Sequence, residues 1–140
     1  MIVEISSTNF RSFRTTQTLS MVKGKGDELP ENTFQVENIK DLDLLHSVAI
    51  YGANASGKSN LLRAVRSMKR IVTESSQRGI SLPLVPFKFN KDNLHKPTEF
   101  EIVFIVNKVR YQYGFSATEE QIFDEWLFAY PRGRAQKWFE

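Results

Sequence analysis

The sequence predicts an α/β chain with three parts: an N-terminal β-hairpin, a strand–loop–helix core and a C-terminal antiparallel β-meander. Three observations predict it. Leu61, Val65, Met68 and Val72 recur at helical spacing between Lys58 and about Ser75, with Leu62, Ala64 and Ile71 beside them. The second half changes to period two. There Phe100, Ile102, Phe104 and Val106 alternate with Glu99, Glu101, Val103 and Ile105. Tyr111, Tyr113, Phe115 and Ala117 likewise alternate with Arg110, Gln112, Gly114 and Ser116. Between the two regimes, an apolar run from Leu44 to Tyr51 stops at Gly52.

The elements follow in order. Residues 2–8 read as a strand, and Asn9-Phe10-Arg11-Ser12-Phe13 as a turn. Thr16 to Val22 is rich in β-favouring residues and pairs back as a hairpin. Gly24, Gly26, Asp27 and Pro30 mark a loop, and Thr33 to Val36 a short strand. Residues 38–43 are polar and read as irregular or a single helical turn. Leu45 to Tyr51 reads as a buried strand feeding the glycine loop. Ser75-Ser76-Gln77-Arg78-Gly79 ends the helix, and Pro83 and Pro86 punctuate the next loop. Asn107-Lys108 suits a tight hairpin turn. Residues 121–130 form a third meander strand and Gln136 to Phe139 begin a fourth, with one face of the meander buried. The expected division is 1–57 (hairpin and loop strand), 58–80 (helix) and 84–140 (meander), all within one domain.

Composition narrows the function classes. The chain has 140 residues and no cysteine, which excludes disulfides, thiolate zinc sites and a Cys nucleophile. No apolar run approaches a membrane span, so no membrane partner is expected. Met1-Ile2-Val3-Glu4-Ile5 does not have the basic-then-apolar pattern of a secretory signal, so a cytoplasmic location is expected. The net charge of +3 permits nucleic-acid contact without arguing for it. Arg63, Arg66 and Arg70 share one helix face and read as its solvated side. His46 reads as a hydrogen-bonded core histidine, and His95 has no companion ligand.

The chemistry is concentrated in residues 52–59, Gly-Ala-Asn-Ala-Ser-Gly-Lys-Ser, which match G-x-x-x-x-G-K-[ST] at every fixed position. A chance match in a chain of this length has odds of about half a per cent. Phosphate oxygens need donors, and free backbone amides at a helix N-terminus supply them. Gly52 allows the turn and Gly57 close approach. Amides from about Ala55 through Ser56 to Ser59 would form an anion nest. Lys58 would reach the β- and γ-phosphates of ATP and act in catalysis, and the Ser59 hydroxyl would ligate Mg²⁺.

This motif follows about fifty residues of chain that include Asn9-Phe10-Arg11-Ser12-Phe13. That order resembles the ATPase heads of the SMC, RecF and ABC classes. The text Tyr51-Gly52-Ala53-Asn54-Ala55-Ser56-Gly57-Lys58-Ser59-Asn60-Leu61-Leu62 is most similar to AAA-type ATPases of bacterial abortive-infection, phage-defence systems. The resemblance implies the N-terminal half of an α+β ATPase head, a piece of a longer protein. It implies that Arg11 contacts the nucleotide, the alternative being an exposed turn residue. Asn54 is implied on the γ-phosphate side, and Asn60 as the first or second helical residue with its backbone near the α-phosphate. Ala55 departs from the glycine many ABC-type loops carry, and is tolerable if it keeps negative φ. Phe10 and Phe13 either touch adenine or anchor the hairpin.

A signature motif and a Walker B strand are not legible. Ile122-Phe123-Asp124-Glu125 is the nearest imitation of the latter, but its alternation reads as a meander strand. The implied partners are the C-terminal half of the head or a second head as a dimer, with DNA or a defence effector downstream. Two functions are expected to compete: an ATPase completed by that second half, or a nucleotide-dependent interaction module that does not hydrolyse. A small-molecule kinase fits less well, because the loop comes late in the chain.

Overall fold

The computed structural model describes residues 1–26, 28–74, 81–131 and 133–140. Strand β1 (Ile2–Thr8) pairs with β2 (Gln17–Ser20) as the expected hairpin. β3 (Thr33–Gln35) pairs with β4 (Asp43–Leu45) in a separate two-stranded sheet. Helix α1 (Lys58–Glu74) follows, then a single turn, α2 (Lys91–Leu94). The meander is β5 (Thr98–Val106), β6 (Val109–Ala117), β7 (Ile122–Tyr130) and β8 (Gln136–Phe139). The main sheet runs β2-β1-β5-β6-β7-β8, and every pairing in it is antiparallel. The architecture is mixed α/β with a mainly antiparallel sheet. The expected end of α1 at 75–79 lies outside the described residues.

The β5–β6 turn explains part of the register. Asn107 and Lys108 both take left-handed backbone, at φ +49° and +65°. A two-residue turn with that geometry matches the right-handed twist of its strands. Lys108 also pairs with Glu37 at 2.9 Å, which holds the exposed Glu37 carboxyl below the usual range.

α1 covers one face of the sheet. Its Ala64, Met68 and Ile71 meet Phe10, Leu84, Phe100, Phe115 and Ala117. The Phe100 ring lies 5.4 Å from Phe10 and 5.5 Å from Phe115, in the tilted and edge-on arrangements aromatic pairs prefer. Burying a side chain such as Phe100 stabilises by about 1.5–3 kcal/mol.

The expectation of one buried face is corrected by a second cluster. Val3, Val36, Leu44 and Ile105 are buried together, with Val103 and Phe34 packed against them. The cause is local. Ile2 pairs with Phe104 but Glu4 pairs with Val103, so Val3 is an extra residue in β1. A bulge of this kind reverses the inward–outward alternation. It turns Val3 to the face that carries Val103 and Ile105, and the β3–β4 hairpin covers it.

Gly114 sits where a side chain would not fit. A Cβ there would lie 2.3 Å from the Trp126 ring and 2.7 Å from the Phe100 carbonyl oxygen. The Trp126 indole crosses this notch and donates to Glu101 Oε2 at 3.0 Å, and Gln112 donates to the same oxygen at 2.8 Å.

Residues 45–51 are the clearest correction. Leu45 ends β4, and 46–51 are exposed and outside any strand. An apolar strand buried on both faces needs parallel neighbours and helices over it. Among the described residues no parallel pair exists to receive it. His46 is correspondingly exposed rather than a core histidine, and its ring packs on Phe34 at 4.7 Å.

Candidate functional site

The loop 52–57 hangs between the exposed segment 46–51 and the first turn of α1. Gly57 adopts φ +99°, a value that side chains rarely accept. A Cβ on Gly57 would stand 3.1 Å from the Phe13 ring and 3.3 Å from Ser12 Oγ. The glycine is therefore needed for its backbone conformation and for close approach of the 9–13 turn. Ala55 takes φ +64° and so does not keep negative φ, contrary to expectation. That conformation costs an alanine on the order of 1–2 kcal/mol.

Within the loop, the Ser56 amide donates to the Ala53 carbonyl at 3.2 Å. The Asn60 amide donates to the Gly57 carbonyl at 2.8 Å. Ser56 therefore drops out of the expected row of free amides, and the Asn60 amide, expected near the α-phosphate, is already paired. The amides of Asn54, Ala55, Gly57, Lys58 and Ser59 have no acceptor among the described residues. Lys58 Nζ bends back on the loop, donating to the Gly52 carbonyl at 2.5 Å and the Ala53 carbonyl at 2.7 Å. Asn54 and Ser59 are exposed, and their side chains have no hydrogen-bond partner among the described residues.

Asn60 is the third helical residue, one later than expected. Its side chain is a bridge: Nδ2 donates to Ser12 Oγ at 2.8 Å, and Oδ1 accepts from Arg63 at 2.9 Å. This bond and the Phe13–Gly57 contact join the 9–13 turn to the loop. Phe10 is fully buried in the α1 cluster and anchors the hairpin, while Phe13 packs beside Gly57. Arg11 takes φ +53°, is half-buried, and its guanidinium lies 5.5 Å from the Phe10 ring centre. Its Nε is buried without a partner among the described residues.

Asn9 is a structural hub that the sequence reading passed over. Its Nδ2 donates to the carbonyls of Asn93 (2.9 Å), Lys96 (2.9 Å) and Pro97 (3.3 Å). Its Oδ1 accepts from the Phe87 amide at 3.0 Å and Asn93 Nδ2 at 3.1 Å. These partners are some eighty residues away in sequence, so nothing local to Asn9 signals them.

Asp124 and Glu125 lie on exposed, antiparallel β7. Ser116 donates to Asp124 at 2.7 Å, and the Tyr113 phenol donates to Glu125 at 2.7 Å. Partial burial and then the Glu125 carboxylate push the Tyr113 phenol well above the usual tyrosine range. Both carboxylates thus serve the meander, as its alternation implied. No group of three or more metal-ligating His, Asp or Glu side chains occurs among the described residues.

A family model described as "AAA domain, putative AbiEii toxin, Type IV TA system" matches residues 47–140, most of the chain. The chain belongs to this AAA family. The family fits an AAA-type ATPase related to abortive-infection systems, and so a nucleotide-binding, ATPase-like module. No curated protein matches the chain. The AAA match takes in the loop, α1 and the meander, but the 9–13 turn precedes it. No helix among the described residues is long and apolar enough to cross a membrane.

The donor set fits a nucleotide's phosphate chain. Five amides without acceptors, an ammonium held only by carbonyl oxygens and a free Ser59 hydroxyl lie within eight consecutive residues.

Proposed function

We propose that residues 52–59 hold the β- and γ-phosphates of ATP and that the Ser59 hydroxyl is the protein ligand to its Mg²⁺. The observation that carries this is the row of unpaired amides at Asn54, Ala55, Gly57, Lys58 and Ser59, opening onto the N-terminus of a 17-residue helix. Amides there present donors, and the helix dipole favours anions. Lys58 exchanges two neutral carbonyls for phosphate oxygens, a charge-assisted bond roughly twice as strong as a neutral one. The buried Arg11 Nε without a partner supports a second cationic contact beside the loop. Bound Mg²⁺ supplies neutralisation of phosphate charge.

The exposed 46–51 segment supports completion by another part of an ATPase head. Val48, Ile50 and Tyr51 are 39%, 42% and 89% exposed, and Leu62 on α1 is 68% exposed. We infer that the C-terminal half of the head, or a second head in a dimer, covers them. Hydrolysis then follows that assembly, with a DNA transaction or a phage-defence effector as the output. The alternative, an interaction module that binds ATP without turnover, is favoured for the isolated chain. The acidic pair that comes nearest to a Walker B pattern, Asp124 and Glu125, accepts hydrogen bonds from Ser116 and Tyr113.

Calorimetry with Mg²⁺–ATP tests the phosphate reading. Lys58→Ala is expected to weaken binding at least tenfold, and Ser59→Ala to reduce mainly the gain from Mg²⁺. ATP affinity unchanged in Lys58→Ala would overturn the assignment. Turnover by the 140-residue chain well above background would overturn the need for a second half.

A further inference from the structure

One loop carries an aromatic ring that no packing requirement explains. Phe89 is 92% exposed, and the Phe87 ring stands 5.8 Å away, edge-on. Lys88, Lys91, His95 and Lys96 are exposed in the same segment, and none of them makes an ion pair among the described residues. The segment 86–97, Pro-Phe-Lys-Phe-Asn-Lys-Asp-Asn-Leu-His-Lys-Pro, interleaves aromatics with cations and holds a single acid, Asp92.

The loop is held in place rather than trailing in solvent. Asn9 binds the carbonyls of Asn93, Lys96 and Pro97 and the amide of Phe87. Asn90 Oδ1 caps α2 through the Asp92 amide at 2.8 Å, and the Arg11 amide binds the Val85 carbonyl at 2.7 Å. The backbone therefore fixes the position from which Phe89 projects, with its ring faces in water.

We propose that residues 87–96 bind single-stranded nucleic acid, with Phe89 as the stacking platform for one base and Lys88, Lys91 and Lys96 facing the phosphates. An open ring accepts any base but needs one that is unpaired, because a duplex hides its base faces. Exposed lysines on both sides of Phe89 in the chain track the backbone as point charges. Glu119 and Glu120 line a cleft of about 500 Å³ together with Lys88, His95 and Lys96. The proposal is independent of the nucleotide reading, since Phe89 and its lysines are not part of residues 52–59.

Fluorescence anisotropy of a labelled oligothymidylate, titrated with the full chain in the absence of ATP, tests it. Binding is expected at low salt, with a log–log salt slope of about −2 for three neutralised phosphates. Phe89→Ala should weaken it about tenfold, and Phe89→Trp should retain it. Lys88→Gln combined with Lys91→Gln should flatten the salt slope by at least about one. These side chains are exposed, so folding is expected to survive the changes, and circular dichroism checks it. Four results would each overturn the proposal: no binding at low salt, equal affinity in Phe89→Ala, preference for the matching duplex, or displacement by polyglutamate that is indifferent to Phe89.

Discussion

Residues 46–51 and residues 98–130 are both rich in apolar and β-favouring letters, yet only the second stretch is built into a sheet. In the meander, each strand finds its neighbour across a short connection, and buried rings such as Phe100 and Phe115 lock the pairing. In the loop segment, Val48, Ile50 and Tyr51 point into water and 46–51 form no strand. The difference teaches that an apolar run becomes a strand where a neighbour lies across a short connection, and that the run by itself does not supply that neighbour.

The comparison can be broken at its strongest point. Phe100→Ala, in the buried cluster under α1, is expected to cost about 3–5 kcal/mol. Urea unfolding of the chain measures it, and a loss under about 1 kcal/mol would mean the meander does not depend on this core.

What the sequence made legible follows the same division. Period-two alternation located β5, β6 and β7, and period 3.6 located α1, because each carries its apolar side chains at the spacing of its own backbone. The 52–59 pattern was legible because fixed glycines and a lysine at set spacing leave a local trace. Four things were not legible. The strand at 45–51 was over-read, since burial is a property of neighbours that the letters do not contain. The Val3 bulge reverses alternation without any glycine or proline to announce it. Ala55 at φ +64° contradicts the usual conformational preference of alanine, so only the structure reveals it. Asn9 looked like a turn residue because its five partners come from residues 87–97.

Asn9→Ala sharpens the comparison, because Asn9 ties the start of the meander to the N-terminal turn. Removing its side chain leaves part-buried carbonyls without their donor, at an expected cost of about 1–3 kcal/mol. Denaturant midpoints measure the loss, and amide exchange should rise at residues 87–97 before it rises in β5–β7. Uniform exchange would show that the hub does not act locally.

Smaller effects are expected in the loop. Ala55→Gly relieves a left-handed alanine and should raise stability by about 1 kcal/mol. A melting curve reads the change, and a lowered midpoint would mean the loop does not hold that backbone. Ile50→Ser should alter the stability of the isolated chain by no more than about 0.5 kcal/mol, since its side chain already faces solvent. A larger loss would show that 46–51 is packed after all.

The notch at Gly114 ties the fates of two strands together. Because the Trp126 ring occupies the space a methyl group would claim, neither position can be redesigned alone: bulk added to β6 must be subtracted from β7, and a smaller residue at 126 would open a gap over Gly114. Trimming residue 126 would clear only half of the obstruction, because the Phe100 carbonyl oxygen would still stand 2.7 Å from an added Cβ, so position 114 is held to glycine by main chain as well as by the indole.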